Sequence, residues 1–204
     1  MAPDDAASGV SRETIASLKR FEDLIRRWSK AINLVSPSTL DTLWSRHILD
    51  CLQIVDLLPT APQRYVDFGS GAGLPGIVVA AGLSERGSDT EITLVESDKR
   101  KSAFLMTAAR ELGLRLNVRS ERIESLHSLR ADAISARALA PLTRLLAYQE
   151  RHGLADCVGI YPKGTQVATE IEEALEDWRF TCERRPSKTS PDSTILMIGD
   201  LRRA

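Results

Sequence analysis

The stretch Asp67-Phe68-Gly69-Ser70-Gly71-Ala72-Gly73-Leu74-Pro75-Gly76 sets glycines at 69, 71, 73 and 76 into a turn that leaves an apolar, strand-like run and enters a helical one. Glycine admits positive φ and puts no Cβ between main chain and ligand. A nucleoside or phosphate can therefore lie against this backbone and the helix N-terminus. A carboxylate, Glu96, closes the next strand-like run, Ile92-Thr93-Leu94-Val95. It stands about 20 residues beyond the glycines, where an acidic side chain accepts hydrogen bonds from ribose hydroxyls. Loop and carboxylate together describe a nucleoside-cofactor site.

Gly71-Ala72-Gly73-Leu74-Pro75-Gly76 also satisfies G-x-G-x-x-G, the dinucleotide fingerprint, so the cofactor is decided by its surroundings. Asp67 precedes the first glycine, Gly69, Gly71 and Gly73 alternate, and the helix start has no arginine placed for a pyrophosphate. This acidic-x-Gly-x-Gly-x-Gly pattern resembles motif I of class I methyltransferases. A carboxylate at the strand end suits the cationic methionyl part of S-adenosylmethionine and would repel a pyrophosphate. A nicotinamide oxidoreductase stays open as the alternative, although 204 residues leave no room for the second domain that most such enzymes carry.

Methyl transfer from a sulfonium needs alignment of a lone pair with the methyl group and exclusion of water. After the fourth strand-like run the chain reads Ala133-Ile134-Ser135-Ala136-Arg137-Ala138-Leu139-Ala140-Pro141. It holds neither the Asn/Asp-Pro-Pro-aromatic signature of exocyclic amine methylation nor the Pro-Cys thiolate of carbon methylation. Arg137 supplies a cationic donor without a base or thiol, which fits a nucleophile whose lone pair is already free, such as guanine N7. O6, a phosphate or the cofactor carboxylate are the partners open to that arginine.

These residues need a scaffold. Apolar side chains at Ile15, Leu18, Phe21, Leu24, Ile25, Trp28 and Ile32 fall on one face of a helix over 11–33, with Ser11 as its cap and Val10 stapled to Ile15. A second helix is expected from Thr39 to Leu58, with Leu40, Trp44, Ile48, Leu52 and Val55 inward. From Arg64 the pattern alternates: strands at 64–68, 91–96, 115–119, 132–136 and 157–162, with helices at 74–83, 98–112, near 121–129, 141–152 and 165–177. Trp178 to Arg184 and Ser193 to Ile198 add two strands without an intervening helix. The expected fold is α/β, Rossmann-like, a mostly parallel seven-stranded sheet with an antiparallel C-terminal hairpin and an N-terminal helical cap. The expected organisation is a loose tail over 1–10, the cap over 11–60 and the catalytic core over 61–204.

Cys51, Cys157 and Cys182 are odd in number and show no metal-ligand spacing, so neither a disulfide nor a metal is expected. The formal charge of −1 argues against a uniformly basic nucleic-acid-binding surface. Cations are instead clustered at Arg26-Arg27, Lys99-Arg100-Lys101 and Arg184-Arg185-Pro186-Ser187-Lys188. No signal peptide or spanning segment is read, and a soluble, cytoplasmic monomer is expected. Trp28 and Trp44 read as core rather than as stacking platforms.

Asn33-Leu34-Val35-Ser36, Arg46-His47-Ile48-Leu49-Asp50-Cys51-Leu52, Gly69 to Gly76, Ser135-Ala136-Arg137-Ala138 and Tyr161-Pro162-Lys163-Gly164 closely resemble the glucose-inhibited division protein B family. Those proteins are ribosomal RNA small subunit methyltransferases of the G type, which methylate N7 of one guanine of 16S rRNA. The resemblance runs from about residue 11 to residue 198. It implies S-adenosylmethionine as cofactor and small-subunit rRNA, or the small ribosomal subunit, as partner. It further implies that Gly69, Leu74, Ile123, Glu124 and Arg137 join Asp67, Gly71, Gly73 and Glu96 at the cofactor. Lys163, with Arg137, is implied in substrate positioning or RNA contact. Arg46 and His47 are candidate RNA contacts, with local pairing to Asp50 as the competing role. Many family members carry Gly-Glu-Arg-His before the last strand, where this chain has Pro191-Asp192-Ser193-Thr194. Arg184, Arg185 and Lys188 are the candidates to replace that missing arginine. A non-catalytic assembly factor binding the same RNA is the third reading.

Overall fold

The computed structural model describes residues 10–60 and 62–204. The expected tail lies outside them except for Val10, which packs against the core. Helix α1 (Arg12–Trp28) starts where Ser11 Oγ accepts the Thr14 N–H at 3.1 Å, and it buries Leu18, Phe21, Leu24 and Ile25 along one face. It ends five residues before the expected boundary. The Ser29, Ala31 and Ile32 N–H groups fold back onto the Ile25 and Trp28 carbonyls and turn the chain.

The expected second helix over 39–58 is three pieces. Helix α2 (Pro37–Asp41) is capped by Ser36. A π-helical turn follows over Leu43–Ile48, and α3 (Leu49–Leu57) completes the cap. The Leu49 N–H bonds to the Trp44 carbonyl, five residues back. The wider turn buries Leu43 fully and leaves Trp44 half-buried, with the Lys19 ammonium 3.4 Å above its ring. It also turns Arg46 and His47 toward the sheet's C-terminal edge, and such turns recur at functional sites.

The core alternates β1 (Arg64–Phe68), α4 (Gly76–Glu85), β2 (Glu91–Val95), α5 (Lys99–Glu111), β3 (Asn117–Arg119), β4 (Ala131–Ala136), α6 (Leu142–His152), β5 (Gly153–Lys163), α7 (Val167–Asp177), β6 (Trp178–Pro186) and β7 (Thr194–Arg203). The helix expected near 121–129 is a single 3-10 turn, Ile123–Ser125. The strands form one seven-stranded sheet ordered β3-β2-β1-β4-β5-β7-β6. The first five run parallel and β7 lies antiparallel between β5 and β6.

Side chains alternate between the faces of each strand. Along β1, Tyr65 enters a cluster with α1, α3, α4 and α5, whereas Val66 and Phe68 enter a second cluster with α6, α7 and Trp178. Cap residues such as Leu18, Ile48 and Ile54 share the first cluster with Ile77 and Phe104 of the α/β core. The chain winds outward from β1 to β3 and then returns to β4 on the other side of β1, making a switch point at the C-terminal ends of β1 and β4. Among the described residues no helix is long and apolar enough to cross a membrane.

Candidate active site at the strand switch point

Two cavities open at this edge of the sheet. The first, of about 380 Å³, is lined by Gly69, Gly71, Glu96, Ile123, Glu124 and Leu139, among others. Its floor is the glycine turn, tied to β2 by the Ser70 N–H donating to the Val95 carbonyl at 3.1 Å. Gly69 has φ +63°, and a Cβ there would stand 2.6 Å from Leu139 Cδ1. Glu96 is buried to 8% exposure; its Oε2 accepts the Gly71 N–H at 2.9 Å and its Oε1 accepts the Asp98 N–H at 2.8 Å. The carboxylate is thus fixed at the rim, with lone pairs left for hydroxyls. Glu124 accepts from the Tyr148 hydroxyl and, at 2.8 Å, from Arg144 Nη2. The Tyr148 bond, followed by its own backbone N–H and Arg144, holds it down to about 2.

Of the expected cofactor residues, Asp67, Gly73, Leu74 and Arg137 take other positions. Asp67 lies on the Tyr65 face of β1 and is completely buried beneath the loop. Its Oδ2 accepts the Gly76 N–H at 3.2 Å and its Oδ1 accepts the Ser135 hydroxyl at 2.5 Å, so the carboxylate fastens the turn instead of facing a methionyl ammonium. Burial raises it to about 6, against the lowering effect of those hydrogen bonds. Gly73 faces Phe21 and Ile77, and Leu74 packs against the same cluster, outside the cavity lining.

The second cavity, of about 570 Å³, lies between the π-helical turn, the ends of β4 and β5 and the 187–193 loop; its lining includes Arg46, His47, Arg137, Ala138 and Lys163. Arg137 belongs here rather than to the first cavity, and its guanidinium donates to His47 Nδ1 and to Cys51 Sγ (3.5 Å). Burial first, and Arg137 second, lower the His47 imidazole to about 4. Burial raises the Cys51 thiol to about 12, so it is no thiolate near neutrality.

Lys163 is not a free cation for RNA phosphate. Its ammonium meets Glu170 Oε2 at 2.6 Å and the Ala140 carbonyl at 3.0 Å, with the two side chains only 9% and 21% exposed. Asp50 is likewise engaged: its Oδ1 accepts from Gln53, Ser187 and Thr189, which clamps the 187–190 segment onto α3. It therefore forms no pair with Arg46, whose Nη2 donates to Ser190 Oγ at 3.3 Å. Arg184 and Arg185 stand exposed on the edge strand β6 outside both cavities, with Arg185 paired to Glu183.

Sequence reasoning missed Leu139, Arg144 and Tyr148 at the first cavity and Thr39, Ser190 and Ser193 at the second. The four-residue spacing of Arg144 and Tyr148 on a helix was a usable signal for a shared partner. The positive φ of Ala138 (52°), which lines both cavities, had none.

A sheet of this order, with a glycine turn and an acidic strand end at its switch point, defines a class I, Rossmann-like methyltransferase. A putative O-methyltransferase from Klebsiella pneumoniae shares the fold, with TM-score 0.57 and 14% identity over 90% of each chain. The chain belongs to the rRNA small subunit methyltransferase G (GidB) family, whose model matches residues 14–191. It is 46% identical over 194 residues to the ribosomal RNA small subunit methyltransferase G of Ruegeria sp. (strain TM1040), covering 95% of this chain and 94% of that one. The protein of the same name from Paracoccus denitrificans (strain Pd 1222) is 46% identical over 196 residues, covering 96% and 99%.

Proposed function

We propose that the protein transfers the methyl group of S-adenosylmethionine to N7 of a guanine in 16S rRNA. The first cavity fits the nucleoside part of that cofactor. Gly69 and Gly71 offer open backbone, Glu96 a ribose acceptor, and Ile123 with Glu124 the adenine side. The cofactor supplies an electrophilic methyl carbon; the ring-nitrogen lone pair forms the new C–N bond while the C–S pair returns to sulfur, and no proton has to move.

The observation that carries this reading is what lines the second cavity where it meets the first at Ala138. Neither a free base nor a thiolate is there. Glu170 and Asp50 are engaged, His47 is held neutral by burial and then by Arg137, and the Cys51 thiol is raised. A nucleophile bearing its own lone pair is the kind such a site can serve. What the chain contributes is orientation, through Ala138 and the Arg137–His47 pair, and shielding from water by the 187–193 loop.

The test is transfer of labelled methyl from S-adenosylmethionine to 16S rRNA, followed by mapping of 7-methylguanine. Label on an exocyclic amine or a ribose would overturn the nucleophile assignment. Binding of small subunits without transfer would point to an assembly factor, and a thermal shift with NADH but none with S-adenosylmethionine to an oxidoreductase.

A further inference from the structure

The second cavity has polar groups of one hand on one wall. An arginine guanidinium can only donate, so His47 Nδ1, which faces Arg137 Nη2, is an acceptor. A neutral imidazole with Nδ1 accepting carries its proton on Nε2. Among the described residues no protein acceptor takes that proton, and the half-buried ring lines the cavity. Ala138 and Pro162 supply apolar wall, and exposed Arg46 stands at the same cavity with, among the described residues, only the long contact to Ser190 on its guanidinium. At about 570 Å³ the space falls in the range of small-molecule sites.

The occupant must reach Ala138 from the side opposite the first cavity and must present an acceptor to a fixed N–H. Guanine shows acceptors at both O6 and N7 on one edge, whereas adenine puts an N6 donor beside N7. An N–H aimed at O6 leaves N7 free for attack. The same N–H opposes an adenine amine donor to donor, which leaves a buried polar group unpaired. A base in a helix stack cannot reach such a site, so the nucleotide enters extruded, with Arg46 placed for its phosphate.

Resting on the proposed guanine-N7 activity, we propose that this second cavity receives the extruded target base and that His47, through its Nε2–H, donates to guanine O6 and so selects guanine over adenine.

The test uses full-length protein and 16S rRNA ligated to carry 2-aminopurine in place of the target guanosine, which keeps N7 and the 2-amino group but has hydrogen at C6. Wild type is expected to lose about 10- to 100-fold in kcat/KM on this RNA, the size of one buried hydrogen bond. His47→Ala is expected to slow transfer to guanine and to bring the guanine to 2-aminopurine ratio toward one; comparing variants cancels the intrinsic reactivity of the two bases. His47→Gln, with an amide N–H at similar reach, is expected to restore much of the ratio. Calorimetric binding of S-adenosylhomocysteine reports folding, since His47 lies outside the first cavity. If an alanine variant is too slow to assay, the ratio is read from RNA affinity with S-adenosylhomocysteine bound. A ratio unchanged in His47→Ala overturns the inference while leaving the activity in place. Absence of guanine-N7 transfer by wild type overturns the activity and the inference together.

Discussion

A single methyl group placed at residue 76 would meet Leu94 Cδ2 at 2.4 Å and Asp67 Oδ2 at 2.7 Å, neither of which is the free end of a flexible surface chain. Gly76→Ala is therefore expected to lower stability by about 1–3 kcal/mol, as overpacking does, and to weaken cofactor binding because the same contact orients the turn. Urea denaturation and calorimetry with S-adenosylmethionine check both; an unchanged midpoint would remove Asp67 as the fastener. Asp67 carries its own signature. Its folded value of about 6 lies above the ordinary unfolded value near 4, so folded protein holds a proton that unfolded chain has lost between those two pH values. The stability of wild type relative to Asp67→Asn should then fall by roughly 2 kcal/mol as pH rises from about 4 to about 6, and stay level above 7. The glycines and the acidic strand end were legible from residue type alone. The role of Asp67 was not: its place ahead of the glycines points at the ligand, and only the alternation along β1 puts it on the Tyr65 face.

Elements meet at a side-chain junction that periodicity does not reveal. Lys163 at the end of β5, Glu170 in α7, the Ala140 carbonyl and the Leu142 N–H at the start of α6 converge on one partly buried ion pair. Removing one member leaves the other charge uncompensated, which costs more than replacing both. Lys163→Met is expected to destabilise by roughly 2–4 kcal/mol, and the double variant Lys163→Met with Glu170→Leu to recover a large part of that loss. Denaturation midpoints of the four proteins in the cycle decide it. Additive losses would make the pair incidental. The strand and helix sequence from 64 onward was legible because each segment keeps its own period through the alternation. The π-helical turn was not: Leu40, Trp44, Ile48 and Leu52 read as one regular stripe at four-residue spacing, whereas the inserted residue puts Leu43 in the core and brings Arg46 and His47 to the second cavity.

At the scale of the whole molecule, a formal charge of −1 offers no general attraction for RNA, so affinity has to come from where the cations sit. Arg46 on the cap lines the second cavity, and Arg184 on β6 lies level with Tyr161 of β5, both being paired to Leu196 of β7. Arg115, ahead of β3 at the opposite edge, is 89% exposed and pairs with Asp89 at 3.6 Å. Removing one cation that neutralises a phosphate lowers the slope of log affinity against log salt by about 0.9 in duplex regions and about 0.7 in single strands. Arg46→Glu is expected to weaken binding to small-subunit RNA and to flatten that slope by about one phosphate's share. Charge reversal at Arg184 should act in the same direction, and at Arg185 less, since Glu183 already neutralises it. Arg115→Glu should leave both affinity and slope within error. Filter binding or fluorescence anisotropy across a salt series separates these outcomes. Losses at Arg115 as large as those at Arg46 would mean that RNA reads only total charge, and the docking face at the switch point would have to be abandoned.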